Sequence, residues 1–135
     1  MSTSASMLTL FIAWALFLLI LMEVIRSSLV VSGRAKSNEF RPDNANHSPF
    51  LQRLARAHAN CIESFPIVGG LLLVAITTGR TDVTDGLAPW LLIARFGQSI
   101  IHLCALSVIA VNARFFLFAV QIAIAVYWTW ALIAR

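Results

Sequence analysis

The sequence predicts an all-α integral membrane protein built as a four-transmembrane-helix bundle, and three observations lead there. Hydrophobic residues make up 59% of the 135 residues and charged residues only 12%, where soluble domains carry about a quarter charged. Long apolar stretches are separated by short segments rich in Gly, Asp and Asn, the pattern of spans and turns. The formal net charge is +4, and its arginines gather beside alternate loops, as the positive-inside rule requires. On so apolar a chain these cations are accounted for by anionic lipid, so no nucleic-acid partner is expected. Residues 1–135 read as a single domain.

The first helix is expected over about 7–31. Leu8 to Met22 is almost unbroken apolar sequence, and its continuation to Val31 exceeds the roughly 20 residues that span a bilayer. Met1 to Met7 carries no Lys or Arg and no cleavage signal follows, so the segment reads as a retained anchor. Glu23 and Arg26, three residues apart, share a face and are expected to pair near the interface.

Ser32 to Phe50, with Gly33, Arg34, Lys36, Pro42, Asp43 and Pro49, forms the longest loop. The second helix, about 50–78, has a polar first half and an apolar second half. Pro66 is expected to kink it, and Gly69 and Gly70 to admit a neighbouring helix closely. After a polar turn at Thr77 to Gly86, a third helix is expected over about 87–111. A break at Val111 to Arg114 then leads to a fourth helix at about 113–134. Cys61 and Cys104 fall inside helices, so no disulfide framework is indicated.

Arg34, Lys36, Arg41, Arg53 and Arg114 cluster around the first and third loops, against only Arg80 and Arg135 at the other end. The first and third loops are therefore expected in the cytoplasm and both termini outside. Trp90, Tyr127, Trp128 and Trp130 would form an aromatic belt at the outer interface.

Two polar stripes interrupt the apolar helices. At about 100° per residue, Arg53, Arg56, Asn60 and Glu63 fall at roughly 0°, −60°, −20° and −80° on the second helix. Arg95, Gln98, Ser99 and His102 fall at roughly 0°, −60°, 40° and −20° on the third. Such residues in spans face a bundle interior or a wet cavity, so both stripes are expected to line one cleft that also receives Arg34 and Arg114. His58 lies off the stripe, and Arg53, the first of its stripe, suits an interfacial position. Two readings stay open: Glu63 neutralises Arg56 or Arg95 in a packing network, or the surplus cations hold an anionic ligand. His47, His58 and His102 lack close ligand spacing, so no metal is expected.

Several guanidinium groups and one carboxylate suit a small zwitterion with surplus carboxylates, because Arg grips carboxylates bidentately and Glu63 can hold an ammonium. Glutathione has this charge pattern. A thiol titrates near about 8.5, and an arginine beside the sulfur favours the nucleophilic thiolate. The bilayer would deliver a second, apolar or lipid-like electrophile laterally.

The run Arg-Ala-His-Ala-Asn-Cys-Ile-Glu-Ser-Phe-Pro, Arg56 to Pro66, resembles the second-helix signature of the MAPEG family, the membrane-associated proteins in eicosanoid and glutathione metabolism. The four-helix layout, the polar first loop and Arg95 with its polar neighbours extend the likeness over nearly the whole chain. The resemblance implies a homotrimer of the bacterial-type microsomal glutathione transferase kind, with glutathione as co-substrate between subunits near the cytoplasmic face. It implies Arg34, Arg56, Asn60, Glu63, Arg95, Gln98 and His102 as glutathione contacts and Arg114 as the catalytic, thiolate-stabilising arginine. Ser64, Ala59, Gln98 and His102 depart from the eicosanoid-producing members, which favours a general transferase or peroxidase. The family also contains non-catalytic members, so a membrane scaffold or lipid-binding role is the competing expectation.

Overall fold

A computed structural model describes residues 1–105 and 107–134; Leu106 and Arg135, the latter part of the charge comparison above, lie outside the described residues. The described chain is helical throughout its ordered elements: α1 (Thr3–Val31), α2 (Pro49–Thr77), α3 (Thr81–Thr84), α4 (Ala88–Cys104) and α5 (Val108–Ala134). Three of these, α1, α2 and α5, are long and apolar enough to cross a membrane. The 17 residues of α4 extend about 26 Å at 1.5 Å per residue.

Local chemistry sets the helix ends. Ser2 and Ser48 cap α1 and α2, their hydroxyls accepting from the amides of Ala5 at 3.1 Å and Leu51 at 3.2 Å. Pro49, at the start of α2, has no amide hydrogen to leave unsatisfied. At the other ends, Gly33 and Gly79 adopt left-handed φ of 76° and 69°. There the amides of Gly33 and Arg34 turn back to Val30 and Leu29, and those of Gly79 and Arg80 to Ile76 and Ala75, a closure that favours glycine.

The long loop is tied down by a residue the sequence did not single out. Asn44, fully buried with φ 55°, donates from Nδ2 to the Leu51 carbonyl at 2.9 Å. Its Oδ1 accepts from Arg26 Nε at 3.0 Å and Nη2 at 2.6 Å. Glu23 and Arg26 form the expected ion pair at 3.2 Å. At the opposite end, Asp85 accepts from the amide and hydroxyl of Ser4, and Arg80 donates to the carbonyls of Leu132 and Ala131. These bonds fasten the start of α1 and the end of α5 to the connection after α2, where the short α3 stands in what reads as a polar turn.

The core is formed by Phe11, Leu18, Leu54, Leu72, Leu91 and Trp128, drawn from α1, α2, α4 and α5. Trp128 is completely buried, so the aromatic belt expected at the outer interface loses it, while Trp90, Tyr127 and Trp130 stay exposed. Leu16, Phe17, Ile20, Ile93, Phe115 and Phe116 point outward from the bundle, an apolar exterior suited to lipid.

α2 is helical on both sides of Pro66. Two further expectations change. A Cβ at Gly69 would meet the Phe65 ring of its own helix at 3.0 Å and one at Gly70 would meet nothing, whereas at Gly97 it would lie 3.2 Å from Leu117 Cδ1. The close helix approach is therefore between α4 and α5. Finally, α4 ends at Cys104, with Ala105 extended, and α5 begins at Val108, so residues 111–114, expected as a break, are helical.

Candidate functional site

The α2, α4 and α5 helices meet on polar side chains. Arg95, completely buried on α4, donates from Nη1 to Asn60 Oδ1 on α2 at 2.7 Å and from Nε to Gln121 Oε1 on α5 at 3.0 Å. Gln121 is in turn fixed by donating from Nε2 to Gln98 Oε1 at 2.8 Å and to the Leu117 carbonyl at 3.1 Å. The guanidinium also lies 6.0 Å from the centre of the Phe11 ring on α1, within cation–π range. Four helices thus grip one arginine. Its Nη2 and the hydroxyl of Ser99 are buried without a partner among the described residues.

Two turns further along the same antiparallel pair, Arg114 Nη1 donates to His102 Nδ1. Guanidinium has no acceptor, so Nδ1 is the unprotonated nitrogen in this contact. Arg114, expected in a loop, sits in the second turn of α5, because that helix starts earlier than its sequence suggests. Its Nε is also buried without a partner among the described residues. His102 stands in the last turn of α4, two turns beyond Arg95.

Arg56 and Glu63 project from the exposed face of α2. Among the described residues Glu63 joins no ion pair, so the structure does not contain the neutralised network that would make this stripe pure packing. Glu63 instead borders a cleft of about 240 Å³ between α2 and α5, whose wall includes Gln121, Ile67, Phe118 and Ile122. Glu63, Ser64 and Gln121 are its polar lining residues, and the other lining residues are apolar.

The structure separates the remaining candidates. Arg34 is exposed on the long loop, where its backbone amide closes the α1 terminus; among the described residues no hydrogen bond or ion pair joins it to Arg95 or Arg114. Arg53 Nε donates to the Leu103 carbonyl at 2.9 Å, satisfying the last turn of α4. His58 lines an apolar groove between α1 and α2 with Leu16, Leu19 and Phe65.

Gln121 was missed in the sequence. Its signal was a lone amide in the middle of an apolar helix, two turns beyond Arg114, where a polar residue usually finds a partner inside the bundle.

The sequence model of the MAPEG family matches residues 4–134. The chain belongs to the MAPEG family. Neither a curated protein nor a solved structure gave a match. The MAPEG match takes in all the helices that build the Arg95 and Arg114 contacts, not only the Arg56 to Pro66 motif. Membership is consistent with a glutathione transferase or a related MAPEG activity.

Proposed function

We propose that this MAPEG protein is an integral-membrane glutathione transferase, of the bacterial-type microsomal kind, that also reduces lipid hydroperoxides. The observation that carries the reading is the buried Arg95, held by Asn60 and Gln121 with Nη2 left over, while Glu63 lines one cleft with Gln121 and forms no ion pair among the described residues. A buried cation with a spare donor suits a carboxylate, and Glu63 suits an ammonium. Glutathione supplies both. Arg95, Arg56, Asn60 and Glu63 bind it, Gln98 fixes Gln121, and Arg34 closes over it from the loop of a neighbouring subunit.

Arg114 is the group that favours the thiolate. As the thiol proton leaves to solvent, the sulfur attacks an apolar electrophile from the bilayer, a new carbon–sulfur bond forms, and the leaving group departs with its electron pair. In this reading α4 is the fourth span, since about 17 residues is the lower bound for crossing. Three copies assemble so that the exposed polar face of α2 is shared between subunits. The site faces the cytoplasm and both termini lie on the other side, following the arginines.

Calorimetry on the detergent-purified protein tests the reading. Saturable heat is expected at millimolar glutathione; none would sink it. Turnover of chlorodinitrobenzene that requires glutathione is expected as well, and binding without turnover would favour a non-catalytic member of the family.

A further inference from the structure

An arginine on a flexible stem stabilises a developing charge best when its donors are already fixed, because otherwise the entropy of ordering the side chain is lost at the moment of reaction. Arg114 is held at one point, where Nη1 donates to His102 Nδ1. Among the described residues it forms no ion pair.

That contact belongs to a ladder between the antiparallel α4 and α5. Gln98 accepts from Gln121 at 2.8 Å, a Cβ at Gly97 would lie 3.2 Å from Leu117 Cδ1, and His102 accepts from Arg114. His102 is four residues after Gln98, and Arg114 is seven before Gln121, spacings that keep side chains on one face of a helix. The rotation of α5 that seats Gln121 against Arg95 therefore also brings Arg114 to His102.

The bond specifies the imidazole. A guanidinium only donates, so Nδ1 is bare and the N–H of the ring lies on Nε2. It also specifies which edge of the guanidinium is free. Nη1 lies on the far side of the group from the Nε hydrogen, so the bond to His102 leaves the edge formed by Nε and Nη2. Nε is buried without a partner among the described residues. Such an edge presents two parallel donors to an anion. A carboxylate at position 102 would hold Arg114 as well, but it would offset the positive charge that a thiolate needs. A neutral acceptor holds the group and leaves its charge.

We propose that His102 is a positioning residue: it acts through Arg114, presenting the Nε and Nη2 edge to the sulfur of glutathione, and does not touch glutathione as the family resemblance implies. This role rests on the transferase reading, while the bond it uses is present without glutathione.

Replacements of His102 separate the two roles. Asn places its Oδ1 where Nδ1 stands, Gln places its amide where Nε2 stands, and Leu keeps bulk without either. In His102→Leu the thiolate fraction of bound glutathione, read from ultraviolet absorbance of the detergent-purified protein, is expected to fall roughly three- to tenfold, the scale of one hydrogen bond. kcat is expected to fall with it, while glutathione affinity by calorimetry changes less than about twofold. His102→Asn is expected to recover most of the loss and His102→Gln little of it. Recovery by Gln and not Asn, or an affinity loss as large as the fall in thiolate, would show that His102 contacts glutathione and overturn the proposal. An unchanged thiolate fraction in His102→Leu overturns it too.

A second measurement needs no glutathione. Nitrogen NMR of the histidine-labelled protein, with His102→Asn assigning the signal among His47, His58 and His102, is expected to show His102 protonated on Nε2 and its Nδ1 signal shifted by Arg114→Ala. A proton on Nδ1 in the parent, or an Nδ1 signal that Arg114→Ala leaves in place, overturns the proposal. A parent that binds no glutathione would end the transferase reading, and the nitrogen signals would still decide whether His102 holds Arg114.

Discussion

Arg95 Nη1 on α4 donates to Asn60 Oδ1 on α2 at 2.7 Å, and this one bond connects the two polar stripes. Asn60 is half-buried and Arg95 fully buried, so Asn60 links the buried guanidinium to α2. The asparagine orients the cation on the side where Arg56 and Glu63 are found.

Asn60→Ala removes that orienting acceptor and leaves a second buried nitrogen of Arg95 unpaired. The KM for glutathione is expected to rise about tenfold, the scale of one hydrogen bond to a charged group, with a smaller change in kcat. Steady-state kinetics with varied glutathione check it, and an unaltered KM would count against Asn60 as part of the binding face.

Gln121→Leu keeps approximate shape but strands Arg95 Nε and Gln98 Oε1, which the glutamine now satisfies together. A loss of about 1–3 kcal/mol is expected, the cost of unsatisfied buried polar groups, read as a lower thermal unfolding midpoint in detergent. Adding Gln98→Leu removes one of the stranded groups and is expected to recover part of the loss. Full additivity of the two changes would show that the amides do not act as a pair.

Arg114→Ala is expected to lower turnover about tenfold or more, as removal of one preorganised charge-stabilising donor does, while glutathione affinity measured by calorimetry moves less. Equal turnover in variant and parent would take Arg114 out of the chemistry.

Asn44→Ala places a side chain without hydrogen-bonding capacity at φ 55° and frees two donors of Arg26. A cost of about 2 kcal/mol or more is expected. Because the effect centres on the loop, faster proteolysis between residues 32 and 48 is the measurement to make; unchanged cleavage would mean that Arg26 and Asn44 do not hold the loop.

What the sequence determined by itself is what periodicity and composition encode. Apolar runs of membrane length marked α1, α2 and α5, and the spacing of Arg56, Asn60 and Glu63 marked a polar face, because each follows from residues near one another in the chain. The break before α5 was misplaced for the same reason: Asn112 and Arg114 look like loop residues, whereas both are helical and Arg114 packs against His102. Burial of Trp128, the role of Gln121 and the detachment of Arg34 from the cluster were likewise decided by tertiary structure. Each depends on which helix faces which. A helical wheel orders side chains around one axis but does not state the rotation of that axis against its neighbours, and it is this rotation that brings Asn60, Arg95 and Gln121 to one point.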